Sequence, residues 1–399
     1  MKRKFEKYLL LIIPAVVLLI AVILIAGRKK KTEEDKSEVG KEVFVYDSVD
    51  PQTFYSEHTV FYVDESVLHM IDTTSGVDMV YCDRPNCSHM GLECPAWVIG
   101  RSAMPYNGHL YYFGNIDDKG AFTMQYLYEA DANGENRGIV TALHDVQDIQ
   151  YLLYRDKYVI GAYRNHVEVD EEGMIINDNR EEAAIFVIDL ESKKVQMGEK
   201  VPGLMPDVGG IYYEDGAVYY LCTHFDDTVT ETMVNEAFSD DFAAFMKSHL
   251  VFELYRYDIA SEAKTLLKTF AFTESPEFTD GDVFYQTSDG YFLYDRKSGE
   301  SVKLPIAAGS GRVCRNNGVL YYNYVEEGSR QRVYCRLVNG TAEELMRMAD
   351  DESFVIMAMC GKSVYVGYSE GNSYCMGVMS LDDLDHGNFN VKDLRYFGK

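Results

Sequence analysis

Four residues of the chain have the types and spacing of a metal site: Cys82, Cys87, His89 and Cys94, arranged C-x4-C-x-H-x4-C. Three thiolates and one imidazole form a soft donor set that suits tetrahedral zinc, although the spacing is not that of a zinc knuckle. With all four positions filled by protein, such a zinc would brace the loop and leave no open site for catalysis. In an exported chain a disulfide within the same set is the alternative, and three cysteines leave one thiol over after any local bridge. Metal binding predicts sulfur and nitrogen atoms converging within about 4 Å at tetrahedral angles.

The other five cysteines read as structural. Cys314 and Cys360 precede one predicted strand and Cys335 and Cys375 lie in the next, two ladder spacings away, which is about 9–10 Å and beyond disulfide reach. They read, with Cys222, as small buried hydrophobes. Known catalytic motifs are absent: no G-x-S-x-G, H-E-x-x-H or P-loop occurs, and Gly309–Gly311 lacks the third glycine of a dinucleotide fingerprint. Asp131–Asn136 (DANGEN) resembles the start of a calcium loop, but Ala142 stands where Glu is required, so it reads as a hairpin turn. His58, His69, His109, His144, His166, His249 and His386 are scattered without ligand spacing and read as strand or loop residues.

The elements that must position the Cys–His segment repeat. An aromatic strand, a turn, and a second strand ending near Asp recur seven times. The first strand includes VFYV (60–63), LYYF (110–113), VYYL (218–221) and VYVGY (364–368). The second ends near positions 72, 131, 189, 258, 295, 338 and 381. Short antiparallel strands recurring roughly every 40 to 50 residues predict an all-β, seven-bladed β-propeller, one four-stranded blade per repeat. Its 31 Tyr and 20 Phe agree with strands. An irregular array of β-sandwiches is the competing architecture.

Two segments carry a family resemblance. Leu127–Gly134 (LYEADANG) resembles the strand-turn consensus of TolB-like and WD40-like bacterial propellers. Tyr81–Trp97 (YCDRPNCSHMGLECPAW) resembles a Cys-Pro-Cys-His-Cys element of membrane-anchored bacterial β-propeller proteins of unassigned function. The resemblance spans roughly residues 43–397 as architecture, departs in the last two repeats, which lack the Asp, and implies a fold without an activity.

At the N-terminus, Tyr8–Gly27 is an apolar run long enough to cross a hydrocarbon core as one transmembrane helix. It follows a basic tail (1–7) and precedes a charged tether (28–41); the propeller is expected over 42–399. Lys and Arg flank the run on both sides, so charge hardly orients it. The expected topology is a single-pass cell-membrane protein with cytoplasmic N-terminus and extracytoplasmic propeller. The chain carries a net −26 over 399 residues; residues 1–31 contribute +7, leaving −33 on the rest, which excludes nucleic-acid binding.

With strands named A to D from the centre outwards, B–C connections and D-to-A crossovers should emerge on one face. The crossover 82–97, an acidic B–C insertion at Asn165–Glu182 and a helical B–C insertion at about 226–250 would decorate it, the last starting from a Thr228–Glu231 capping box. This predicts a binding or scaffold protein whose decorated face takes a protein, peptide or glycan, with acidic insertions suited to a cationic partner. The alternative is a propeller enzyme, a hydrolase or lyase acting at the central channel.

Overall fold

The computed structural model describes residues 45–46, 53–91, 93–98, 102–114, 124–165, 181–239, 241–279, 281–306, 310–326, 328–349, 352–370 and 373–397. The expected basic tail, membrane helix and tether, and most of the acidic insertion, lie outside these residues. No described helix is long and apolar enough to cross a membrane.

Seven antiparallel sheets follow one another along the chain, each built from consecutive strands: the chain is a seven-bladed β-propeller. Blade 1 comprises Thr53–Tyr55, Thr59–Asp64, Val67–Asp72 and Val77–Val80 as strands A to D. Blade 2 comprises Ser102–Tyr106, His109–Gly114, Met124–Asp131 and Gly138–His144. Blades 3 to 7 have their A strands at Asp148–Arg155, Asp207–Glu214, Glu277–Thr279, Ser310–Asn316 and Phe354–Cys360. The near-continuous apolar sequence of the B strands has a direct cause. A blade's second strand is covered on both sides by neighbouring blades, so Thr59–Asp64, His109–Gly114 and Tyr158–Asn165 are buried almost throughout. Strand D of blade 1, at the rim, is mostly exposed.

The recurring Asp also has a local cause. The carboxylates of Asp72, Asp189, Asp258 and Asp295 each accept the backbone N–H three residues on, from Ser75, Ser192, Ser261 and Ser298, which closes the C–D turn. In blade 6, which lacks the Asp, the turn is Asn339–Gly340 with both residues at positive φ, a two-residue hairpin. In blade 7 strand C ends at Ser380, whose hydroxyl caps a short helix, Leu381–Asp385, in place of a hairpin.

The helical insertion lies between Ala217–Phe225 and Leu250–Asp258, strands B and C of blade 4. It forms two helices, α1 (Glu231–Ser239) and α2 (Phe242–His249), rather than one amphipathic run. The expected Thr228 cap is displaced: Thr230 Oγ1 accepts from Met233 N, and Thr228 is itself bound by the Asp226 carboxylate. Asp241 caps α2 by accepting from Ala244 N at 3.0 Å. Phe238 of α1 stacks on Phe242 of α2 with centroids 4.0 Å apart, which explains why the apolar spacing ran through both.

Among the described residues the ring closes without exchanging strands, since blade 7 is made entirely of C-terminal strands. Instead, Tyr365 Oη donates to Ser56 O at 2.6 Å and Ser363 Oγ to Glu57 O at 2.7 Å. A buried cluster joins Tyr55, Val60 and Ile71 of blade 1 to Tyr365, Met376 and Leu394 of blade 7. One strand is additional. Val45–Tyr46 pairs antiparallel inside strand A of blade 1, with Val45 opposite Tyr55, and touches strand A of blade 3. It therefore lies at the centre of the ring, with Val45 beside Tyr55, the residue of strand A nearest the A–B turn.

Candidate metal centre

The Cys–His segment leaves strand D of blade 1 and is pinned at both ends. Tyr81 N donates to Leu68 O, Leu68 N to Ala96 O, and Val98 N to Ser66 O, so Trp97 forms an isolated antiparallel bridge with Val67 beside strand C of blade 1. Between these anchors the chain reverses through Asn86, His89 and Gly91, all at positive φ. Sγ of Cys82, Cys87 and Cys94 and a ring nitrogen of His89 all lie within 4.8 Å of one another. His89 Nδ1 is 3.5 Å from Cys94 Sγ. The set could hold a metal ion; it is the only such cluster of His, Cys, Asp and Glu among the described residues. Its spread is wider than the roughly 3.8 Å that Zn–S bonds of about 2.3 Å imply at tetrahedral angles, so binding would draw the ligands in by about an ångström. No disulfide joins any of the eight cysteines, and Cys222, Cys335, Cys360 and Cys375 are buried.

The local field distinguishes the thiols. The backbone N–H of His89, then the neighbouring Cys94 and Cys82 thiols and the Arg84 cation, hold the Cys87 thiol below its ordinary range. Burial pushes Cys82 up to about 11 against the N–H of Arg84. N–H groups aimed at sulfur favour the thiolate, the form a metal needs. Two arginines supply further support. Arg137 Nη2 donates to the carbonyls of Cys94 (2.6 Å) and Pro95 (3.0 Å), and its Nε to Gly134 O. Arg84 Nη1 donates to Glu93 O, and Nη2 pairs with Glu135. These outer contacts order the loop and place positive charge beside a site that, with three thiolates and a divalent ion, would carry a net −1.

The sequence does not display this support, because Arg137 and Glu135, the partner of Arg84, reach the loop from the C–D turn of blade 2. That turn also corrects the placement of the crossover. Strand direction assigns it to the face of the B–C connections, and it does begin there, beside Ser66. Its far side, however, rests on Gly134, where a Cβ would meet Pro95 O at 2.4 Å and where φ is +78°. The C–D turn emerges at the opposite end of its blade, so the loop ties the rims of two neighbouring blades. Blade twist, which a flat strand diagram omits, brings the two ends together.

The DANGEN segment is the C–D turn itself, with Gly134 N donating to Asp131 O and Asn136 Nδ2 to the Asp131 carboxylate. Four of the scattered histidines each reach one carboxylate: His69 Asp78, His109 Glu129, His249 Asp226 and His386 Asp382; His166 lies outside the described residues. His224, inside the helical insertion's neck, is buried with one ring nitrogen 2.8 Å from Phe225 O and the other 3.1 Å from Glu253 Oε2.

No protein-family model and no curated protein matches the sequence. Solved structures do. Pyrococcus horikoshii acylaminoacyl peptidase is 10% identical with a TM-score of 0.50, over 90% of this chain and 54% of that one. The tricorn protease is 9% identical with a TM-score of 0.50, over 89% of this chain and 35% of that one. The β-propeller domain of the Trilobed protease from Pyrococcus furiosus is 10% identical with a TM-score of 0.48, over 89% of this chain and 98% of that domain. The chain thus spans about half the length of the acylaminoacyl peptidase. The two likenesses at a TM-score of 0.50 show the propeller fold alone.

Proposed function

We propose that the chain is a membrane-anchored, extracytoplasmic binding or scaffold propeller whose first two blades are braced by a structural zinc. The closed set of Cys82, Cys87, His89 and Cys94 carries this reading. Four protein donors fill a tetrahedral zinc and leave no position for substrate, so the ion's effect is mechanical. The buried position of Cys94 and the arginine contacts to its flanking carbonyls support a fixed loop. The ligand is a protein, peptide or glycan on the face bearing the B–C insertions, and the acidic chain suits a cationic one.

Metal analysis of the purified full-length chain is expected to find about one zinc per chain, lost in Cys94→Ser. Affinity falls with acid as thiolates and imidazole take protons. A metal-free chain with a Cys87–Cys94 or Cys82–Cys94 bridge in mass spectra overturns the zinc.

A second reading is favoured by the comparisons: a propeller that serves peptide hydrolysis, as the names of its structural neighbours suggest. The strand Val45–Tyr46 inside the ring opposes a catalytic site at the channel itself. Turnover of unstructured peptides by the purified chain would favour this second reading.

A further inference from the structure

The two helices of the blade 4 insertion carry apolar residues that the propeller leaves uncovered. In α2 none of Phe242, Ala243, Ala244, Phe245 and Met246 is buried. Among the described side chains of α1 only Val234 and Ala237 are buried, and Phe238 is 59% exposed. The aromatic rings form a tier that starts inside the blade and ends in water. Phe225, buried at the end of strand B, meets Phe245 and Phe242 edge-on with centroids 5.2 and 6.4 Å apart, and Phe238 stacks on the far side of Phe242. Helices of nine and eight residues draw most of their stability from a covered apolar face, and here the outermost ring of that face has no cover.

The rim of this patch has one sign. Among the described residues of 226–250, the exposed charged side chains are Asp227, Glu231, Glu236 and Asp241 against Lys247 alone. Glu231 stands two turns before Phe238 on the same side of α1, and Asp241 caps α2 immediately before Phe242. An aromatic centre within a charged rim is the anatomy of a protein contact. A second copy seated by a two-fold axis would set these carboxylates against themselves, and anionic lipid head groups would be repelled.

We infer that the outer face of α1 and α2 docks a cationic amphipathic helix of a partner protein, whose apolar residues lie on Phe238 and Phe242 and whose Lys or Arg residues meet Glu231 and Asp241. The inference rests on the binding reading above and gives it a surface and a partner chemistry. Apolar anchors supply affinity in this mode of recognition, and the charges supply orientation and choice of partner.

The probe is a fluorescein-labelled peptide of about 14 residues, four helical turns, with Leu along one face and Lys elsewhere; its counterpart has Glu for Lys. The full-length chain in a zwitterionic detergent is titrated by anisotropy, and hydrogen exchange locates the contact. Saturable binding of the Lys peptide is expected, with added protection in 231–249 and the Glu peptide weaker by about tenfold or more. Phe238→Ser, at an exposed position, should weaken the Lys peptide about tenfold, the worth of one apolar anchor. Glu231→Gln should weaken it about threefold, whereas Glu300→Gln, the same change at an exposed position of blade 5, should not. Protection confined to the blades overturns this surface while leaving a binding propeller. Cleavage of the peptide without protection of 231–249 overturns the surface and the binding reading together. The surface also falls if no saturable binding occurs, if Phe238→Ser binds as the parent chain does, or if Glu231→Gln and Glu300→Gln lose equally. Self-association, or retention on phosphatidylcholine vesicles, that Phe238→Ser abolishes assigns the face to a second copy or to lipid and overturns the inference.

Discussion

Arg296 shows how far a single residue's role depends on what surrounds it. It follows strand C of blade 5, its side chain is 3% exposed, and it lies between the rings of Tyr212 and Tyr219 at 4.9 and 4.5 Å. Its one ionic partner among the described residues is Glu214 of blade 4, at 2.8 Å, which Lys297 also reaches at 3.0 Å. The Lys297 contact, then Arg296, holds the Glu214 carboxyl below its ordinary range. Removing one member of a buried pair is worse than replacing the pair, because the remaining charge stays desolvated. Glu214→Gln should therefore destabilise the chain by about 2–3 kcal/mol, and Arg296→Met by less, since methionine fills the slot between the rings. Urea denaturation of the two variants checks this, and the reverse order would show that the arginine's stacking, and not its charge pairing, dominates.

At the scale of elements, the helical insertion hangs from a narrow neck. Asp226 N donates to His249 O, and the Asp226 carboxylate binds Thr228 N at 2.8 Å and His249 Nδ1 at 3.1 Å. The Thr228 hydroxyl and backbone N–H, then His249, hold the Asp226 carboxyl below the ordinary carboxylate range. The sign follows: a depressed carboxyl contributes stability above its unfolded value, near 4, and that contribution disappears as pH falls through the folded value. Amides of 231–249 are expected to lose hydrogen-exchange protection in acid before those of the blades, and Asp226→Asn should remove that acid-dependent step. Simultaneous loss across insertion and blades would show that the neck does not control the helices.

For the whole molecule, closure of the ring is the decisive contact. Blade 7 meets blade 1 through packing and side-chain hydrogen bonds, with Tyr365 fully buried, its ring 4.6 Å from Tyr55 and its hydroxyl on Ser56 O. Among the described residues no strand is shared, so no backbone ladder spans the seam. Tyr365→Ala should cost about 3–5 kcal/mol through a cavity and a lost buried hydrogen bond, lowering the denaturation midpoint of the whole propeller. A loss below about 1 kcal/mol would place closure elsewhere along the seam.

The seven blades, their strands and the C–D turns were legible in the sequence because each is decided within a few residues. B strands such as VYYL are apolar at every position as they are covered on both sides, and an Asp at a strand end closes its turn through its own side chain. The Cys–His cluster was legible for the same reason, all four candidates lying within one loop. What supports that cluster was not. Arg137 and Glu135 lie some 40 residues from Cys94, in a turn that strand direction places at the other end of the molecule, and only the twist of two adjacent blades brings them together. Closure through Tyr365 and Ser56 likewise joins residues more than 300 positions apart. Such contacts depend on how separately formed sheets pack, and side-chain packing between surfaces has no period for a sequence to display.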